Sequence, residues 1–136
     1  MKKIISIPPL IGMACNALAE KLNIPTDATQ KNHLKAYGIA YWVLEQQEEV
    51  EWLLNYKGGS FLMNDYENIE KECLLRGVSF STMSETRANT IKNEITNPSV
   101  NAEVVKLLKV PKIAVYSPKT AQPWDDAVTM VLEYAG

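Results

Sequence analysis

Residues 112–136, KIAVYSPKTAQPWDDAVTMVLEYAG, carry the reading that decides the fold. Ile113-Ala114-Val115-Tyr116 is a compact apolar run of strand length, and Pro118 with Lys119-Thr120-Ala121 makes a loop. Pro123 suits a first helical position, where its missing N–H costs nothing. Asp125 and Asp126 suit the positive end of a helix dipole, and Val128, Val131, Leu132 and Ala135 recur at helical spacing. A strand feeding a helix in this way is the opening unit of an α/β layer. Nothing follows to pair with it, so the expectation is the leading part of a larger protein, with a sheet incomplete at its C-terminal end. In such layers the chemistry sits on later strand ends.

Upstream, strand and helix signals alternate. Leu22-Asn23-Ile24 is a short extended stretch, and Asp27 or Thr29 is placed to cap a helix over residues 30–46. Leu34, Tyr37, Ala40, Tyr41 and Leu44 form its expected apolar face. Residues 50–56 read as a strand stopped by Lys57-Gly58-Gly59-Ser60, with Phe61-Leu62-Met63 as a short extended return. Asn64 or Asp65 then caps a helix through Arg76, with Ile69, Cys73 and Leu74 inside and Gly77 at the C-cap. Residues 78–82 alternate like a strand, Ser84 caps a helix to about Ile95, and residues 102–108 read as a short helix. Strands alternating with helices predict an α/β fold with a mostly parallel sheet and helices on both faces.

The N-terminus reads as an address. Lys2-Lys3 precede an apolar run, and Ala17-Leu18-Ala19 gives the small-x-small pattern of a signal-peptidase site. The expected organisation is a signal peptide over residues 1–19 and an exported domain over residues 20–136, in the periplasm or at the cell surface. Gly12-Met13-Ala14-Cys15 is a poor lipoprotein site, because Gly12 replaces the usual aliphatic residue. The apolar run is too short for a retained membrane span.

Composition narrows the function classes. The 136 residues are 46% hydrophobic and 22% charged, with net charge -2. Dispersed Lys and Arg argue against a nucleic-acid partner. One histidine, His33, and two cysteines, Cys15 and Cys73, offer no metal set and no internal disulfide, and no cofactor is expected. Cys73 sits mid-helix, unlike a nucleophile on a sharp strand-to-helix turn. The turn at Asn55, Tyr56, Gly58, Gly59 and Ser60 is the candidate ligand contact, since glycines let backbone amides approach a small polar ligand or a sugar. A tight turn is the plainer reading. Trp42, Trp52 and Trp124 with Tyr37 and Tyr41 either line a carbohydrate cleft or fill the core.

Three blocks, QKNHLKAYGIAYWVLEQ, EWLLNYKGGSFLM and PKIAVYSPKTAQPWDDAVTMVLEYAG, resemble an exported Bacteroidetes family that often carries the label asparagine synthetase B. The resemblance implies a fold like the class I glutamine amidotransferases or flavodoxins. It also implies a longer chain, whose Cys-containing nucleophile segment lies beyond Gly136. The literal label meets a chemical objection. Glutamine-hydrolysing asparagine synthetases resemble enzymes with a Cys directly after Met, whereas position 2 is Lys2, and no Ser-Gly-Gly-x-Asp-Ser pyrophosphate loop occurs. The expectation is an amidotransferase-like domain without a complete active site, acting as a ligand-binding or scaffold unit. The alternative is an amidotransferase or hydrolase with a downstream nucleophile.

Overall fold

The chain reverses at Asn55, Lys57, Gly58 and Gly59, whose φ angles are all positive (60°, 47°, 78° and 99°). Such a run of left-handed residues is accessible because two of them are glycine and a third is Asn. It closes a hairpin between strands β2 (Val50–Leu54) and β3 (Ser60–Asn64), with Trp52 opposite Phe61 and Val50 opposite Met63. The computed structural model describes residues 20–116 and 127–136. Around the hairpin it places strand β1 (Glu20–Ile24), helix α1 (His33–Glu45), helix α2 (Glu67–Arg76) and strand β4 (Ser81–Ser84). Helix α3 (Glu85–Ile95), strand β5 (Glu103–Leu107) and helix α4 (Ala127–Ala135) follow.

The five strands form one sheet in the order β4-β1-β3-β2-β5, and every ladder is antiparallel. This overturns the expected mostly parallel sheet. Helices α1 and α2 do carry the chain back over the sheet, but each crossover skips one position. β1 and β2 run the same way with β3 inserted between them, and β3 and β4 run the same way around β1. The order β1-α1-β2-β3-α2-β4 on a 4-1-3-2 sheet is the split βαβ, ferredoxin-like arrangement. β5 adds a fifth strand beside β2.

The sheet is covered on both faces. Leu22, Ile24, Val50, Phe61 and Met63 point one way and pack on Ala36, Ile39, Ala40 and Val43 of α1 and on Ile69 and Cys73 of α2. Leu53 and Leu62 point the other way and meet Ala88, Ile91 and Ile95 of α3. Each fully buried aliphatic side chain contributes about 1.5–3 kcal/mol relative to exposure. Asn23 alternates onto the α3 face, where its amide atoms and the Ser60 hydroxyl are buried with no hydrogen-bond partner among the described residues. Gln30 is the satisfied counterpart. Its amide nitrogen donates to the carbonyls of Pro25 (2.8 Å) and Ser79 (3.1 Å), and its amide oxygen accepts from the Ser79 N–H (2.8 Å).

Several local expectations shift. Asn32 caps α1, its Oδ1 accepting from the Lys35 N–H at 3.1 Å, while Asp27 closes its own turn with Thr29. The buried stripe of α1 is rotated from the expected one, so Leu34, Tyr37 and Tyr41 are exposed. Leu74 is 71% exposed rather than inside. Ser84 caps α3 through the Arg87 N–H, and Gly77 ends α2 at φ 69°. Residues 103–107, within the stretch expected to be helical, are strand β5, because Val104 and Val105 gain a ladder with Leu53 and Trp52.

The opening segment is corrected most. Residues 113–116 belong to no strand, and the place beside β2 is taken by β5. Residues 117–126, with Pro118, Pro123, Trp124, Asp125 and Asp126, lie outside the described residues, as do residues 1–19 with Cys15. The helix that follows docks on α1. Asn32 Nδ2 donates to the Tyr134 hydroxyl at 2.7 Å, and the Lys35 ammonium stands 5.0 Å over the Tyr134 ring. A Cβ at Gly38 would overlap the Ala135 carbonyl, so only glycine permits this crossing.

Candidate ligand-binding cleft

The exposed side of α1 determines where an open cleft forms. Tyr37 and Tyr41 stand at i and i+4 and therefore share a face, with the buried Leu44 at i+7 forming its inner edge. Beneath them the hairpin presents Trp52 and Phe61, directly opposite in register. The chain leaving β5 supplies Leu107, Lys109, Pro111 and Ile113, and the end of α4 supplies Leu132, Ala135 and Gly136. Together these surfaces enclose a cleft of about 610 Å³. Its walls are almost entirely carbon, and Lys109 is the one charged side chain lining it among the described residues.

Its aromatic wall is fixed in place. The Trp52 indole donates through Nε1 to the Gly59 carbonyl at 2.9 Å. Its ring stacks on Phe61 with centroids 6.0 Å apart, and Phe61 meets Tyr37 edge-on at 5.2 Å. Such pairs contribute about 0.5–1.5 kcal/mol each beyond area burial. Phe61 is nearly fully buried and Trp52 and Tyr37 are progressively more open, so the wall grades from core to solvent. A preformed apolar concavity of this size, with a few polar groups at its rim, is the usual form of a small-molecule site.

The sequence-derived turn residues take up structural duties. Asn55 Nδ2 donates to the Asn101 carbonyl at 2.6 Å, and the Lys57 ammonium lies 5.9 Å over the Tyr56 ring. The N–H groups of Gly59 and Ser60 both donate to the Tyr56 carbonyl at 2.9 Å. Gly58 lies against the backbone of Thr26 and Asp27, and its carbonyl accepts from the Thr26 hydroxyl at 2.7 Å. Ser60 is buried. The turn therefore ties the hairpin to the β1–α1 loop and anchors Trp52 from behind. Of the five aromatic residues read as a carbohydrate cleft, Tyr37, Tyr41 and Trp52 come together. Trp42 instead lines a second depression of about 450 Å³ with Tyr66, between α1 and α2, and Trp124 lies outside the described residues.

Sequence reasoning missed Phe61, Leu107, Lys109, Pro111 and Ile113. The signal for Phe61 was present in its pairing position across the GGS turn. The others follow only once residues 103–107 are a strand.

Burial, with the nearby Glu70 and Glu72 carboxylates, pushes the Cys73 thiol up to about 12, so it is protonated and unreactive at neutral pH. His33 sits at the start of α1 with Nε2 3.1 Å from the Asp27 carbonyl. The Asp27 carboxyl is held below its ordinary value by the Thr29 hydroxyl and N–H. Among the described residues no group of three or more His, Cys, Asp or Glu is placed to hold a metal ion. No described helix is long and apolar enough to cross a membrane. Comparisons with family models, curated proteins and solved structures find no match to this chain.

Proposed function

We propose that this chain is a binding module whose cleft over Trp52 and Phe61 receives a small ligand through a flat apolar face. The observation that carries the reading is the preformed aromatic wall of Tyr37, Trp52 and Phe61 inside an open cleft of about 610 Å³. A protein that merely packed its aromatics would cover them. Here the rings are locked by a hydrogen bond and ring contacts while one side stays open. The role is one of binding, because the mid-helix thiol of Cys73 is shut away and His33 is committed to a loop carbonyl.

A sugar ligand shares the aromatic wall, and Tyr37, Tyr41 and Trp52 in one cleft favour it. Its hydroxyls would need polar partners, which the nearly all-carbon lining supplies sparsely. Export of the domain also belongs to this proposal. β1 begins at Glu20, directly after Ala17-Leu18-Ala19, so cleavage there would leave every described element intact. The family resemblance adds the proposal that a catalytic segment, if the protein has one, lies beyond Gly136.

The Trp52 indole N–H gives a nuclear magnetic resonance signal distinguished by its bond to Gly59. Titration with indole is expected to move that signal, and a methyl glycoside to move it less. Trp52→Ala should abolish indole binding, with Trp42→Phe leaving it unchanged. Perturbations that map to the α1–α2 depression, or none at all, would overturn the reading.

A further inference from the structure

The charge pattern of the cleft suggests what kind of ligand it takes. Lys109 is its single charged lining residue, and the ammonium has no ion pair among the described residues, whereas Lys21, Arg76, Lys92 and Lys106 all have carboxylate partners. Among the described residues no Asp or Glu lines the cleft. The other polar features of the rim are the Tyr37 and Tyr41 side chains and the backbone at the end of α4. At that end Arg76, itself paired with Glu72, donates to the Gly136 carbonyl at 2.7 Å and lies near that of Ala135. Lys109 is therefore the one unpaired charge on the lining among the described residues.

We propose that the ligand is a small amphipathic anion, an aromatic or aliphatic body carrying one carboxylate, with the body on Trp52 and Phe61 and the carboxylate toward Lys109. This rests on the cleft being a binding site and deepens it. An exposed Lys on the lining of an apolar cleft can pack its methylene stem on carbon and keep its ammonium in water, which suits this division of labour. The pair would form at the rim, in contact with water, so its contribution is modest and sensitive to salt. Its effect is a preference among ligands sharing one body.

The test compares indole-3-propionate, indole and tryptamine by calorimetry on the wild-type chain. The anion is expected to bind about three- to fivefold tighter than neutral indole, with the cation weaker than both. High salt should erase the difference without weakening indole. Lys109→Met should remove the preference for the anion, and an unshifted Trp52 indole N–H resonance in the free variant shows that it is folded. Equal affinity for indole and indole-3-propionate, or an anion preference that survives in Lys109→Met, overturns the anion proposal while leaving the cleft standing. Failure of all three compounds to bind overturns the cleft itself.

Discussion

Two glycines with nearly the same backbone angle provide a controlled measure of how tightly the hairpin turn is held. Gly58 has φ 78° and Gly77 has φ 69°, so replacing either with Ala places a Cβ in left-handed backbone at a cost of about 1–2 kcal/mol. Their surroundings differ completely. An added Cβ at Gly77 meets nothing within 4 Å, whereas at Gly58 it would stand 2.6 Å from the Thr26 carbonyl oxygen and 2.7 Å from the Asp27 nitrogen. Both neighbours are backbone and cannot rotate away, so the β1–α1 loop must move, at a further cost of about 1–3 kcal/mol. Gly58→Ala is therefore expected to lose about 2–5 kcal/mol and Gly77→Ala about 1–2 kcal/mol. Urea unfolding of the two variants at a common m-value measures the difference directly. Amide exchange at Thr26, whose N–H donates to the Lys57 carbonyl at 3.1 Å, should quicken in Gly58→Ala alone. Equal destabilisation of the two variants, with Thr26 exchange unchanged, would refute the close packing of turn against loop.

The Cys73 thiol should resist alkylation at neutral pH in the native chain and react at once in denaturant; rapid native labelling would contradict its burial. Its folded pKa of about 12 lies above its ordinary 9.0, so the unfolded state gives up the proton first as pH rises. Stability should fall between those two values, and Cys73→Val should flatten that part of the pH profile relative to wild type. Ser60→Ala removes a buried hydroxyl that has no partner among the described residues, and is expected to leave stability unchanged or raise it by up to about 1 kcal/mol. Asn23→Leu should behave likewise, and a loss above about 1 kcal/mol in both variants would mean that these groups are satisfied in solution.

Local signals were legible where one residue determines one conformation. Ser84 at a helix start, Gly77 at a helix end and the GGS turn all follow from side-chain or backbone chemistry acting within a few positions. What failed was the relation between distant segments. Alternating strands and helices announce crossovers, but no local feature of Leu22 or Ile24 reveals that β3 slots between β1 and β2. Helical spacing likewise admitted two stripes on α1, and the sheet chose the one through Ile39 and Val43. Tyr37 and Tyr41, expected on the buried face by spacing and in a cleft by their aromatic chemistry, stand exposed and line the cleft. Residues 103–107 were read as helix because their strand character depends on a ladder with β2.

The inserted position of β3 also bears on how the chain reaches its native state. Only the β2–β3 ladder joins strands linked by a tight turn; Ile24 must find Phe61, Leu22 must find Thr82, and Trp52 must find Val105. Loop-closure entropy has to be met before those non-local contacts reward it, which slows such topologies. During synthesis from the N-terminus, β1 emerges first and keeps Leu22 and Ile24 without their sheet neighbours until the hairpin has formed. The GGS turn, by assembling β3 on β2 early, creates the edge on which β1 can dock, and so sets how long an apolar strand is left available to other chains.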